Sequence, residues 1–270
     1  MTTPDERRSI ELEIEVSGTP EQVWEAIATG PGITAWLHPT ELDEREGGHM
    51  SYDMGGGMTG SATVRDWDPP RRYVEEAPWP LAGGSEEDAV TLATEWTVQA
   101  RSGGTCVVRM VTSGFGAGAM WDDEMEGFTE AMETALQNLR LYRAHFPGAH
   151  GAWVRVFASS GGSLAEGFSA LTGGLGLADA PPGATVSAAG HGAPALAGTV
   201  EVVTEGKWQR HQLLRVSEPA PGLASVGIWG EAGMTTVQLC LYGEEGAAVA
   251  ARERPGWEAW MGAQFPAATA

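Results

Sequence analysis

The strongest constraint on the fold is the stretch Trp121–Phe146, because it carries the repeat of an amphipathic helix. Its apolar residues recur at steps of three and four, the spacing of one helical face: Met125, Phe128, Met132, Leu136 and Leu139. Acidic residues fill its first turn and Arg140 and Arg143 lie near its end, which complements the helix dipole. We therefore predict one long helix, ended by the Pro-Gly pair that follows.

The apolar face of this helix is built largely from Met and Phe. These side chains adapt to irregular surfaces, whereas Leu and Ile define a tighter core. Two interpretations fit the pattern. The helix either closes over a curved sheet and leaves a cavity beneath it, or packs into an ordinary filled core.

The residues before the helix predict an antiparallel sheet. Apolar residues alternate with glutamates over Ile10–Val16, which indicates a strand with one buried face. Thr19 and Gln22 form the pattern of a capping box, so a short helix begins there, and Gly-Pro-Gly at 30–32 is expected to end it before a second short helix or turn. Residues 41–114 then read as strand after strand, with a mobile acidic loop expected at 83–89. This order predicts an α+β fold with the long helix on one face of the sheet.

The second half of the chain repeats the layout of the first. Ser163 and Glu166 reproduce the capping box, preceded by an alternating segment that matches the first strand. The final helix is shorter in this copy. We predict an internal duplication with a helix-grip domain at 1–147 and a degenerate second copy at 152–270, whose stunted helix is too short to cover a cavity.

Charge and cysteine content exclude several classes of partner. The chain has 36 acidic and 16 basic residues, a formal net charge of −20, which disfavours nucleic acid and anionic membranes. No apolar run is long enough to span a bilayer, and the N-terminus lacks the apolar run of a signal peptide. With two cysteines, a disulfide framework is not expected, and a reducing cytoplasmic setting is predicted.

Six segments of the first half resemble one known family. They are VSGTPEQVWEAI, ITAWL, EGGHMSYDM, TGSATVRDWDPPRRYVEEA, LATEWTVQARSGGTCVVRMVTSGF and EGFTEAMETALQNL. They lie within Ile10–Phe146, and this part of the chain resembles the SRPBCC superfamily of START and birch-pollen-allergen-like helix-grip folds. Within it they are most similar to the group named after the activator of the Hsp90 ATPase. In the second half, only the first strand, the capped helix and the last strand and helix are similar. The resemblance implies a seven-stranded antiparallel sheet that grips the long helix, with an apolar cavity between them.

A predicted ligand site follows from this cavity. Its lining would be apolar and aromatic, as is usual for pockets that take bulky ligands. Trp36 is expected at the mouth. The remaining predicted ligand-binding residues come from the sheet and from the helix: Met50, Tyr52, Met54, Val64, Leu92, Trp96, Met110, Met125, Phe128 and Met132.

Other polar residues offer little chemistry in the sequence. His38 and His49 have no partners at metal-ligand spacing, and the triple glycine at 55–57 lacks the features of a phosphate-binding loop, so we predict no metal and no cofactor. Glu95 and Arg109 are expected to face solvent. Asp66, together with the Tyr52 hydroxyl, is a candidate for orienting or protonating a ligand. Cys106 is expected to be a buried, inert thiol.

The resemblance implies three classes of function: binding of apolar small molecules, polyketide cyclisation and contact with a partner protein. Members of the superfamily include proteins of natural-product clusters, among them self-resistance proteins against enediyne antibiotics. We predict non-enzymatic binding or sequestration of a bulky apolar small molecule, a natural product or a lipid-like compound. A polyketide cyclase or aromatase and a chaperone-linked protein-binding module stay open as alternatives, since fold does not fix function.

Overall fold

The protein divides into two compact units, Met1–Gly148 and Ala149–Ala270, in a computed structural model. The structure describes residues 6–79, 89–116, 119–190 and 192–266. Most of the acidic loop expected at 83–89 lies outside these described residues. None of the described helices is both long enough and apolar enough to cross a membrane.

The first unit is a seven-stranded antiparallel sheet with one long helix, as predicted. The strands lie in the order β1-β7-β6-β5-β4-β3-β2, so the first strand pairs with the last. The elements in chain order are β1 Glu6–Ser17, α1 Pro20–Ala28, α2 Gly30–Thr34, β2 Thr40–Leu42, β3 His49–Gly55, β4 Met58–Asp68, β5 Arg72–Trp79, β6 Val90–Ala100, β7 Thr105–Gly116 and α3 Ala119–His145.

The long helix α3 is fastened to β1 near both of its ends. Arg8 of β1 forms an ion pair with Asp122 in the first turn of the helix. Near the other end, the Arg143 Nε donates a hydrogen bond of 3.0 Å to the Ser17 carbonyl oxygen. These contacts fix the direction of α3 along the sheet. Its apolar stripe divides into buried and half-buried members, because Met125, Leu136 and Leu139 are buried while Phe128 and Met132 keep exposed surface.

One local expectation was confirmed in part, because α1 ends at Ala28 and a second short helix follows. The Gly-Pro-Gly segment, however, forms the start of α2 rather than a break before it. The Thr29 hydroxyl accepts a hydrogen bond of 3.0 Å from the Gly32 N–H, and Pro31 lies in the first turn, where its missing N–H costs nothing. A proline that follows a side-chain cap within two residues therefore predicts the start of a helix rather than its end.

The second unit repeats this architecture with one strand fewer. Its elements are β8 Ala152–Ser159, α4 Leu164–Gly174, β9 Thr185–Ser187, β10 Ala197–Glu205, β11 Gln209–Glu218, β12 Gly222–Trp229, β13 Met234–Leu241 and α5 Gly246–Gln264. The antiparallel order β8-β13-β12-β11-β10-β9 again pairs the first strand with the last. The shortened second sheet confirms the predicted fold class and is consistent with a tandem duplication.

The final helix of the second unit is shorter than α3, at 19 residues against 27. It begins at Gly246, and Pro255 lies inside it. Val249, Trp257 and Met261 from α5 join one continuous buried cluster with residues of the sheet and of α4. The short helix is thus long enough to complete a core.

The two capping boxes are expected to stabilise their units to a similar extent. In both units the cap hydroxyl accepts from the backbone N–H three residues on, and the side chain there accepts from the cap N–H, for Thr19 with Gln22 and for Ser163 with Glu166. We expect Thr19→Ala and Ser163→Ala each to lower the free energy of unfolding by about 1 kcal/mol. Urea unfolding measures this. If either substitution has no effect, that box contributes nothing to stability, and Thr19→Ser serves as the conservative control.

Candidate functional site

The candidate site lies on the face of the first sheet that carries its apolar residues, here called the inner face. Strand pairing brings one row of inner-face residues together across five strands. Val64 lies opposite Glu75, Glu75 opposite Thr94, Thr94 opposite Thr112, and Thr112 opposite Ile10. Because residues directly opposite on one face are neighbours, Glu75, Thr94 and Thr112 form a continuous polar row. We call these three residues the polar row.

Glu75 is the one acid in this row. The Trp96 Nε1 donates a hydrogen bond of 3.3 Å to the Glu75 Oε1. Burial raises the pKa of Glu75 to about 7, and the hydrogen bond from Trp96 opposes that rise. The side chain nonetheless keeps some exposed surface. A carboxyl group of this kind carries a proton in part of the molecules at neutral pH, and it can therefore both donate and accept hydrogen bonds.

The two threonines complete the polar row. The Thr94 and Thr112 hydroxyl oxygens lie 2.9 Å apart and share a hydrogen bond. Thr112 is fully buried, whereas Thr94 is half-buried. The pair satisfies much of its own hydrogen-bonding need, so Glu75 is the member of the row with capacity to spare.

Aromatic residues border the row on one side. Tyr73 and Trp96 stack with ring centroids 6.3 Å apart, and Trp36 packs edge-on against Trp96 at 6.4 Å. Two polar atoms anchor this group to α1, because the Tyr73 hydroxyl donates to the Ile27 carbonyl and the Trp36 Nε1 donates to the Ala26 carbonyl, both at 2.9 Å. Trp36 is 2% exposed. The expectation that it lies at a cavity mouth was wrong, since its indole N–H binds it to the helix.

Two apolar clusters border the row on the other side. Leu92, Trp121 and Met125 form one cluster, against which Trp79 packs. Phe128 of α3 meets Trp79 edge-on at 5.4 Å, and the Trp79 Nε1 donates to the Glu124 carboxylate at 3.4 Å. These contacts connect β5 to the first turns of the helix.

Met50 and Tyr52 belong to the second cluster, together with Ile33 and Ala62. The Tyr52 ring covers Gly60 on the neighbouring strand, where a Cβ atom would lie 2.3 Å from a ring carbon. On its other side Tyr52 stacks with His38, whose Nδ1 lies 2.9 Å from the Thr40 hydroxyl. Burial, and then the charge of Glu75, raise the pKa of Tyr52.

The remaining predicted lining residues have different positions. Val64 and Met110 are fully buried, whereas Met54 is 36% exposed. Met54 lies at a register shift between Asp53 and Gly55, close to the β3–β4 turn. It therefore does not join the inner-face clusters, and its expected place in the lining was wrong.

Asp66 lies on the outer face of the sheet. A bulge between Val64 and Asp66 reverses the alternation, so that Asp66 pairs with Arg72, with 2.5 Å between carboxylate oxygen and guanidinium nitrogen. Arg72 also binds Glu95 at 2.5 Å, and Arg109 binds Glu11 at 2.7 Å. The expected ligand-orienting role of Asp66 is inconsistent with this position. Glu95 and Arg109 lie on this outer face, whereas their chain neighbours Trp96 and Met110 lie on the inner face.

Metal and thiol chemistry find little support among the described residues. No three acidic, histidine or cysteine side chains there are grouped to hold a metal ion. The Cys106 thiol is buried and donates to the Gly18 carbonyl oxygen at 3.3 Å. Burial raises the pKa of Cys106, so it is not an activated nucleophile.

The sequence analysis missed Glu75. Its signal was present in the alternation of β5, where every second residue faces inward: Tyr73, Glu75, Ala77 and Trp79. A glutamate in phase with three apolar residues is unusual, because an ionisable group on a buried face is costly. The alternation of β5 could be read from the sequence, but the second glutamate, Glu76, directly after Glu75 obscured it.

The second sheet carries an apolar version of the same row. Starting from Val154, the repeat counterpart of Ile10, strand pairing leads to Leu239, Ala224, Leu214 and Val200. All five of these residues are buried. The places of the acid and both threonines are therefore taken by hydrocarbon in the second unit.

Comparisons with known proteins found similarity in the first unit and, in one case, across nearly the whole chain. A family model described as activator of Hsp90 ATPase homolog 1-like protein matches residues 17–142. No curated protein matches the chain. Similar solved structures include protein MLL2253 from Mesorhizobium loti, with 18% identity, a TM-score of 0.45 and coverage of 52% of this chain and 98% of that one. CalU16 from Micromonospora echinospora has 19% identity, a TM-score of 0.40 and coverage of 52% and 78%. DynU16, a protein in the dynemicin biosynthetic locus, has 15% identity, a TM-score of 0.44 and coverage of 94% and 96%.

Proposed function

We propose that the first unit, whose residues 17–142 match the model of the activator of Hsp90 ATPase homolog 1-like family within the SRPBCC superfamily, binds a bulky, largely apolar small molecule. The ligand lies between α3 and the inner face of the sheet. This proposal keeps the predicted non-enzymatic role, with the ligand held by contact area rather than by a covalent step.

The supporting observation is the incomplete burial of residues that point inward. A filled core leaves such side chains without exposed surface. Here several inner-face residues and two members of the helix stripe keep part of theirs: Tyr52, Glu75, Ala77, Trp79, Thr94, Phe128 and Met132. Their surface is mostly aromatic and aliphatic, with few polar groups, which is the usual character of a small-molecule site.

The energetics of such binding are sufficient. Burying about 400 Å² of apolar ligand surface at about 25 cal/mol per Å² contributes roughly 10 kcal/mol before the costs of association. Micromolar affinity is therefore within reach without a specific polar contact. Trp79 and Trp96 lie at the site and report on its occupancy.

We expect polycyclic aromatic ligands to quench tryptophan fluorescence and to raise the melting temperature. The variant Met132→Arg should weaken this binding at least about tenfold, because it brings an unpaired guanidinium to the half-buried helix stripe. Met54→Arg is the matched control, since the exposed Met54 lies outside the inner-face clusters. Titration of both variants with one ligand measures the difference. Equal affinity in the two variants, or no response of the wild type to any ligand of the panel, contradicts the proposal.

One observation favours an enzyme as the second candidate. Glu75 has a pKa of about 7 and faces the same site, which suits a general acid or base. In a polyketide cyclase or aromatase it would move a proton at the substrate. Turnover of a poly-β-keto substrate that is lost in Glu75→Gln supports this candidate, and turnover that survives the substitution removes its best residue.

A further inference from the structure

We propose that the ligand carries one basic nitrogen, and that Glu75 binds it as an ammonium group while the hydrocarbon body packs against the surrounding aromatic and aliphatic side chains. The ligand class is thus a bulky apolar amine. This inference rests on the proposed function and adds the recognition of charge to it.

The first support is the hydrogen-bonding capacity of Glu75. Among the described residues, Trp96 alone donates a hydrogen bond to this carboxyl, and it does so to Oε1. A carboxylate accepts several hydrogen bonds, so the second oxygen has capacity for a donor from a ligand. An N–H group of an ammonium ion is such a donor, and charge-assisted hydrogen bonds are the stronger kind.

The second support is the absence of a protein cation at this position among the described residues. The arginines of the neighbouring strands, Arg65, Arg72 and Arg109, form ion pairs with carboxylates of the outer face. Arg143 is bound to the Ser17 carbonyl near the far end of α3. No described arginine therefore compensates the charge of Glu75.

The third support is the chemical character of the described titratable groups nearest to Glu75. The titratable groups around Glu75 are Tyr52 from β3 and Tyr73 from β5, and Glu124 of α3 lies at the Trp79 end. Among the described residues of β6, the neighbours of Glu75 are Trp96 and Thr94, which carry no charge. None of these groups is basic, and the imidazole of His38 stacks on Tyr52 beside the Thr40 hydroxyl. The net charge of −20 of the whole chain adds a field that concentrates cations.

A ligand of another charge fits less well. The Glu75 carboxylate repels an anion. A hydrocarbon without a hydrogen-bond donor displaces water from this carboxylate and does not replace the hydrogen bonds that the water made. A carbonyl compound pairs only with the protonated carboxyl. The pH dependence of the affinity separates these cases. Protonation of Glu75 weakens the binding of an ammonium ion, whereas it strengthens the binding of a carbonyl compound, whose oxygen accepts from the protonated carboxyl.

Three probes with one ring system test the inference: 1-naphthylmethylamine, 1-naphthalenemethanol and 1-naphthoic acid. They are cationic, neutral and anionic near pH 8. We expect the amine to bind about tenfold tighter than the alcohol at pH 8, the order of one charge-assisted hydrogen bond. The preference should shrink towards pH 5, as Glu75 takes up a proton. Calorimetry near pH 6 should also show that a proton is released when the amine binds.

The variant Glu75→Gln removes the charge and keeps an acceptor for Trp96. It should lose the preference for the amine, so that the amine and the alcohol bind to this variant with affinities within about twofold of each other. Glu76→Gln is the matched control on the same strand, since Glu76 pairs with Arg65 on the outer face, and it should keep the preference.

Several outcomes overturn the inference. Equal binding of amine and alcohol, a preference that persists in Glu75→Gln, or a preference for carbonyl compounds that grows at low pH each does so, and each leaves the binding function intact. If no naphthalene probe and no polycyclic aromatic ligand binds the wild type, the proposed function itself is wrong.

Discussion

Replacing Trp257 by Ala is expected to lower the free energy of unfolding of the second unit by about 4 kcal/mol, the largest effect that we predict. Trp257 is fully buried in the continuous core of that unit and packs edge-on against Trp260 at 5.9 Å. Truncation leaves a cavity the size of an indole beneath α5, which the sheet cannot fill. Urea unfolding of the full chain, followed by circular dichroism, should show an earlier transition for this unit.

The matched control is Trp257→Phe. The Trp257 Nε1 has no hydrogen-bond partner among the described residues, so the loss of this N–H removes no bond. Phe keeps most of the buried area and should cost less than half as much as Ala. Equal losses for Phe and Ala would mean that the N–H, rather than volume, holds the core, and an unchanged transition for Ala would refute the filled interior of this unit.

Glu75→Gln is expected to stabilise the protein by about 2 to 3 kcal/mol at pH 8 and by little at pH 4. The ordinary pKa of the carboxyl is 4.5, and burial raises it to about 7 in the folded protein. The folded state therefore binds more protons than the unfolded chain between these two values. Stability of the wild type falls as pH rises through this window, because the buried group must ionise. A neutral amide escapes this cost.

Melting temperatures measured from pH 4 to pH 8 check this prediction. The difference between Glu75→Gln and the wild type should grow with pH and level off above pH 7. Glu76→Gln is the matched control, since Glu76 lies on the outer face of the same strand and pairs with Arg65 at 2.7 Å. A constant difference across the pH range would mean that Glu75 ionises as freely as an ordinary surface carboxylate.

The sequence predicted what depends on uninterrupted periodicity. The stripe of Met125, Leu136 and Leu139 led to α3, and the alternation of Ile10–Val16 led to β1. The capping boxes at Thr19 and Ser163 are local patterns of four residues, and both formed as predicted. Such patterns predict structure well because the interactions behind them lie within one helix or strand and do not depend on the rest of the fold.

The sequence could not predict where strands slip by one residue. The bulge after Val64 turns Asp66 to the outer face, and the shift after Asp53 leaves Met54 exposed. A single extra residue reverses every later side chain of a strand. Bulges depend on pairing with a neighbouring strand, so neither error was visible in the strand alone. The proximity of Glu75 to Thr94 and Thr112 depends on the registers of three strands and was out of reach for the same reason.

The two sheets differ in the polarity of the residues at corresponding inner-face positions. Where the first sheet places an acid and two hydroxyls, the second places Leu214, Ala224 and Leu239. The first unit thus keeps an ionisable group on its inner face, whereas the second unit has buried hydrocarbon at the corresponding positions. A polar substitution at any of these three positions of the second sheet would therefore carry the cost of burying a polar group, a cost that the first sheet already bears at Glu75.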